Sequence, residues 1–133
     1  MTSVVAGTHA IIWYLLEDPR LSKAAGYAFD AATSAGQMIY IPTMCIVGMT
    51  YLTEKGRIPE HALPLLERVL ASPDSPFHPI ELSLDIANAI KRISRDTVPD
   101  MPDRVIAATA LASGLPLVTR DGNIRASGIE TIW

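Results

Sequence analysis

Residues 100–125 read DMPDRVIAATALASGLPLVTRDGNIR, and the reading of this stretch decides the fold. Pro102 is suited to a first helical turn, where its fixed φ is preorganised and its missing N–H is no loss. Asp103 follows it directly. Val105, Ile106, Ala108, Thr109, Ala110, Leu111 and Ala112 then form a helix of small apolar residues able to pack closely on a sheet. Gly114 suits a C-cap, since glycine enters the left-handed region without a Cβ clash. Leu115-Pro116-Leu117-Val118-Thr119 reads as a buried strand with proline at its entry, and Asp121-Gly122-Asn123 as a closing turn. A helix followed by a parallel strand brings the helix N-terminus and the strand's C-terminal end to one sheet edge. Asp103 and Asp121 are therefore expected to be neighbours, at the edge where such folds bind ligands.

Working outward, Val4-Val5-Ala6 is a short apolar strand ending at Gly7, and Thr8 is a candidate cap for a helix that is apolar nearly all round and ends near Asp18-Pro19. A second helix is expected over Leu21–Ala35, with Ser22 as a possible cap. Met38–Ile41 reads as a second strand, and Thr43 as a cap for a third helix that runs to Lys55-Gly56. Pro59 opens a fourth helix that Ser72-Pro73 breaks. A short third strand surrounds Phe77-His78, a fifth helix covers Ser83–Arg92, and Ile129–Trp133 alternates as an edge strand. Strands alternating with helices imply a parallel sheet covered on both faces. The expected fold is a three-layer α/β/α sandwich with four or five parallel strands in one domain, residues 1–133.

Composition narrows the function classes. The chain has 133 residues, 49% of them hydrophobic, with a formal net charge of −3, a pI near 5.5 and a mean hydropathy of +0.25. A well-buried globule is expected rather than disorder. An acidic chain has no global attraction for nucleic acid, so any RNA binding must rest on local cations. A single cysteine, Cys45, permits no internal disulfide. The N-terminus lacks a signal-peptide layout and no apolar run reaches spanning length, so a cytoplasmic location with no membrane contact is expected. The three histidines and Cys45 have no zinc-ligand spacing. No glycine-rich phosphate loop follows the first strand, which disfavours a flavodoxin-like or nucleotide-binding module.

DRVIAATALASGLPLVTRD closely resembles the C-terminal half of PIN-domain proteins, in particular the VapC-type toxins of bacterial and archaeal toxin–antitoxin pairs. THAIIWYLLEDPRLS resembles the family's first strand–helix junction, EKGRI its mid-chain connection and GIETIW its last strand. The resemblance implies an endoribonuclease in which four carboxylates hold one or two divalent ions, usually Mg²⁺ or Mn²⁺. It further implies a cognate antitoxin protein, an RNA substrate and a homodimer. Hard cations of this kind take oxygen ligands, and paired ions stabilise both attacking and leaving oxygens.

Carried over residue by residue, the resemblance gives a mixed result. Its third and fourth acids fall on Asp103 and Asp121, and Asp100 is an additional nearby carboxylate common in relatives. Its first acid falls on Gly7, just before Thr8-His9, and its second on Gly48, eight residues before Gly56. Half of the expected ligand set is missing, so severely reduced or absent hydrolysis is expected. The rival reading is a nuclease-dead domain that binds antitoxin or RNA. Taken alone, Asp103 and Asp121 are ordinary helix-start and turn residues; the full-length match makes them candidate metal ligands. Arg104 and Arg120 are candidate phosphate contacts, each equally readable as a surface arginine. Trp13, Tyr14, Leu15 and Leu16 offer more apolar surface than one sheet contact needs, and the resemblance implies that an antitoxin peptide occupies a groove there.

Overall fold

The computed structural model describes residues 2–133. The strands are β1 (Val4–Ala6), β2 (Ile39–Pro42), β3 (Phe77–Ile80), β4 (Leu117–Val118) and β5 (Thr131–Ile132). They form one sheet in the order β3-β2-β1-β4-β5, and every pairing is parallel. The helices are α1 (Thr8–Leu15), α2 (Lys23–Ser34), α3 (Thr43–Glu54), α4 (Ala62–Ala71), α5 (Leu84–Ala89), α6 (Met101–Ser113) and α7 (Gly122–Arg125). Together they make the expected α/β/α sandwich, with five strands.

Burial follows from this order. β1 lies at the centre, and Val4, Val5 and Ala6 are all buried, as a parallel strand covered on both faces requires. α2 packs over β1, β2 and β5, α3 contacts α4 and α6, and α5 lies along α6. Phe29 of α2, Ile11 and Ile12 of α1, Met49 of α3 and Leu66 of α4 join the core. Among the described residues no helix is long and apolar enough to cross a membrane.

The order also creates the site. From β1 the chain steps outward through β2 to β3, then returns across the sheet to β4 on the other side of β1. The connections after β1 and β4 therefore diverge, which leaves a crevice between their C-terminal ends. Gly7 and Thr119–Asp121 stand at that crevice.

Several local expectations hold. Ser22 caps α2, its hydroxyl accepting from the Ala25 N–H at 3.0 Å. Gly114 ends α6 in the left-handed region, at φ 66°. Others need correction. The cap of α1 is Gly7, and that of α3 is Pro42, neither with a side-chain cap, so Thr8 and Thr43 are first helical residues. α4 begins at Ala62, after a turn opened by Pro59. α5 is shorter than expected and passes into a single 3₁₀ turn at Ile90–Arg92. The turn at Asp121-Gly122-Asn123 is the start of a one-turn helix, α7.

Candidate active site

A cavity of about 220 Å³ opens at the crevice, lined in part by Gly7, Thr8, Asp103, Thr119, Arg120 and Asp121. Each carboxylate arrives on an element that its own side chain, or a neighbour's, helps to start. Asp100 is the N-cap of α6 and its Oδ2 accepts from the Asp103 N–H at 3.1 Å. This places Asp103 in the first turn, facing the cavity. Asp121 is the N-cap of α7, accepting from the Ile124 N–H at 2.9 Å. Its own N–H donates to the Thr119 hydroxyl at 3.1 Å. The turn after β4 is thus fixed by side chains at both of its ends.

The acids feel one another. Burial first, then the negative charges of Asp121 and Asp100, together push the Asp103 carboxyl up to about 6. Asp100 caps α6 from outside the cavity lining, close enough to act on Asp103 through its charge.

The two glycines lie toward the β1 side, one in the cavity wall and one behind it. Gly7 lines the cavity, and a Cβ on it would stand 3.0 Å from the Val118 carbonyl and 3.4 Å from Thr119. Gly48 lies behind Thr8. A Cβ there would meet the Thr8 side chain at 3.7 Å, ordinary contact with room to spare. Positions 7, 103 and 121 thus line one cavity, and position 48 stands one side chain away, behind Thr8. Beneath it Cys45 is fully buried, its thiol donating to the Ala6 carbonyl at 3.6 Å. Burial pushes that thiol up to about 12, against the opposing effect of the Thr8 hydroxyl.

The donor set does not fit a divalent metal pair. No group of three or more His, Cys, Asp or Glu side chains among the described residues is placed to hold an ion. Asp100 and Asp121 each commit a carboxylate oxygen to a helix cap.

The candidate phosphate contacts divide. Arg104 donates from Nη2 to the carbonyls of Ile90 at 3.0 Å and Ile93 at 2.8 Å, and its Nε is buried without a partner. It ties α6 to the end of the 3₁₀ turn and is absent from the cavity lining. Arg120 is exposed, lines the cavity, and lies over the Trp13 ring at 4.6 Å from its centroid. Arg20 lies over the same ring at 4.9 Å, and the His9 ring is 5.5 Å from it. Burial lowers the pKa of His9, and the charges of Arg120 and Arg20 lower it further. This cluster had no sequence signal, because its members come from α1, the turn after it and the far side of β4. The expected apolar excess on α1 is absorbed only in part: Trp13 is only 2% exposed and packs on Trp133, and Tyr14 packs on Phe29 and Phe77. Tyr14, Leu15 and Leu16 nevertheless stay half-buried, and Tyr14 and Leu15 line a second cavity with Leu21.

Comparison with known proteins agrees with this architecture. The PIN domain family model matches residues 4–128. Ribonuclease VapC22 of Mycobacterium tuberculosis is 27% identical over 125 residues, covering 94% of this chain and 92% of that protein. VapBC2 from Rickettsia felis, bound to a DNA fragment from its promoter, superposes with a TM-score of 0.72 at 15% identity, covering 98% of this chain and 97% of that one. DNA-bound VapBC from Salmonella typhimurium gives 0.71 at 20% identity with the same coverage. With its crevice between β1 and β4 and a family match along nearly its whole length, the chain belongs to the PIN-domain family.

Proposed function

We propose that this protein is a VapC-type toxin that retains the fold and pocket of a metal-dependent endoribonuclease and has lost most or all of its hydrolytic power. The observation that carries the reading is that Gly7, Asp103 and Asp121 line one cavity, with Gly48 behind its Thr8 wall, so that acids stand at only two of the four positions. The resemblance expects acids at all four. Asp103 and Asp121 are the surviving ligands in this reading, and Asp100 supports them through its charge. Two carboxylates that already cap helices or repel one another supply too little negative charge for a metal pair. Among the described residues no carboxylate besides Asp103 and Asp121 lines the cavity to serve as a general base.

What remains is binding. The expected partners are a cognate antitoxin, supported by likeness to solved VapBC complexes, and RNA, supported by likeness to a VapC ribonuclease. A second copy of the chain is the expected oligomeric partner. The cytoplasm is the compartment in which such a protein would act.

The test is RNA cleavage in Mn²⁺ by this chain and by the double variant Gly7→Asp, Gly48→Glu. Cleavage by the double variant alone is the expected result. Strong cleavage by both would mean that the ligand set is wrongly drawn, and cleavage by neither would favour a protein that only binds.

A further inference from the structure

Arg120 and His9, of the cluster around Trp13, line the same cavity as the two acids. Two guanidinium groups lie over one buried indole, Arg120 at 4.6 Å and Arg20 at 4.9 Å. Their situations differ. Arg20 is gripped by Asp18, with Nε to Oδ1 at 3.1 Å and Nη2 to Oδ2 at 2.8 Å, so its charge is matched. Arg104 commits its Nη2 to two backbone carbonyls and lies outside the cavity lining. Arg120 forms no ion pair among the described residues, although Asp121 is its chain neighbour. Stacking on an indole favours a guanidinium by cation–π attraction and leaves the in-plane N–H donors free. A guanidinium anchored over a ring in this way loses less freedom when it grips a planar, bidentate acceptor.

We propose that Arg120, stacked on Trp13 and backed by Arg20 and His9, is a phosphate-binding subsite that holds the backbone of a single-stranded RNA beside the carboxylate pocket. This rests on the reading of that pocket as the place where an RNA phosphodiester passes. RNA is favoured over an acidic peptide by what adjoins the arginine. A strand of regularly spaced phosphates can place one on Arg120 while the next lies near Thr8 and Thr119, and the exposed His9 ring offers a face for a base. In a chain of net charge −3, an unpaired cation at the rim is also the local attraction that RNA binding needs. Trp13 acts as a platform for positioning, since at 2% exposure it cannot stack on a base itself.

The experiment is fluorescence anisotropy with a labelled RNA of roughly ten nucleotides, in EDTA, so that neither cleavage nor metal contributes. Arg120→Met keeps an apolar stem over the indole and removes the charge. It should weaken binding about tenfold and reduce the slope of log affinity against log salt by about 1, with an unchanged melting temperature. Arg120→Lys should recover only part of the loss, because it restores the charge and not the planar fork. RNA affinity and salt slope unchanged in Arg120→Met would overturn the subsite, as would a lowered melting temperature with intact binding, which would mark a shield for Trp13. Displacement of the RNA by hexaglutamate at equal charge would assign the arginine to a protein partner instead. The two readings fail separately. Normal RNA binding by Arg120→Met leaves cleavage by the Gly7→Asp, Gly48→Glu protein as it was. Weakened binding alongside an inert double variant removes only the nuclease reading of the pocket.

Discussion

The two halves of the crevice differ in what their residues do for the fold. On the β4 side, Asp121 starts α7 and Asp100 starts α6, each accepting a backbone N–H that would otherwise lack a partner. On the β1 side, α1 begins at Gly7 with no side-chain cap, and Gly48 lies in mid-helix with only Thr8 nearby. Acids on the first side therefore serve structure as well as any ligand. Acids on the second side would serve the ligand alone. The contrast teaches which half of such a site can be emptied without unfolding the domain, and in the proposed reading it is the half that holds glycine in this chain.

The largest expected effect comes from refilling the empty half. Gly7→Asp, Gly48→Glu should move the protein from no detectable Mn²⁺-dependent cleavage to a rate at least about 10²-fold above background, the scale of a restored general base. Clustered carboxylates repel without a cation, so Mn²⁺ should also raise the melting temperature of the double variant by several degrees, roughly, and leave the present chain unmoved. A melt of the double variant indifferent to Mn²⁺ would break the comparison. The close approach of Val118 to a Cβ at position 7 means that the β1–β4 junction must widen by a few tenths of an ångström to take the acid.

Next in size is removal of a cap. Asp121→Ala should cost about 1 kcal/mol, seen as a melting temperature lower by about 4 °C. Asp121→Asn keeps an accepting oxygen and should cost a few tenths, roughly. Equal stability of all three proteins would deny the β4 side its structural duty. The glycines give the complementary measurement. Gly48→Ala should stabilise by about 0.5–1 kcal/mol, because alanine is the better helix former and its Cβ has space. Gly7→Ala should give no gain, since its Cβ meets a carbonyl at 3.0 Å. A Gly48→Ala protein no more stable than its parent in a urea titration would show that the helix interior is not the free position described above.

The smallest effect is one of pH. The folded-state pKa of Asp103 lies near 6, above its ordinary 3.8, so between these values the folded protein binds more protons than the unfolded chain. Its contribution to stability is fully present below about pH 4 and is lost as pH rises through 6. Asp103→Asn removes that dependence and should be more stable than the parent at pH 8, by less than about 1 kcal/mol given its half-exposed setting. Parallel stability curves for the two proteins between pH 4 and 8 would show that the fold does not hold Asp103 above its ordinary pKa.

Much of this was legible in residues 100–125. Pro102, the small apolar run, Gly114 and the Leu117–Val118 strand each carry a local signal, and together they place Asp103 near Asp121 before any coordinate is known. α7 was not legible, because Asp-Gly-Asn is equally the start of a turn and of a helix a single turn long. Nor was the role of Asp100, since capping depends on which residue has the extended backbone, and Met101 rather than Asp103 proved to begin α6. The Trp13 cluster lay further out of reach. Arg20 and Arg120 converge on one ring only because β1 and β4 are neighbours in the sheet, a fact of topology that no local pattern encodes.

Cys45 gives this site a chemical clock. Its sulfur, on the first turn of α3, is sealed against the end of β1 with Thr8 above it, and no other thiol competes for reagent. Alkylation can proceed only when that seam parts and the sulfur meets solvent and ionises. The labelling rate therefore counts openings on the side of the crevice where the acids are missing, without a probe having to be introduced.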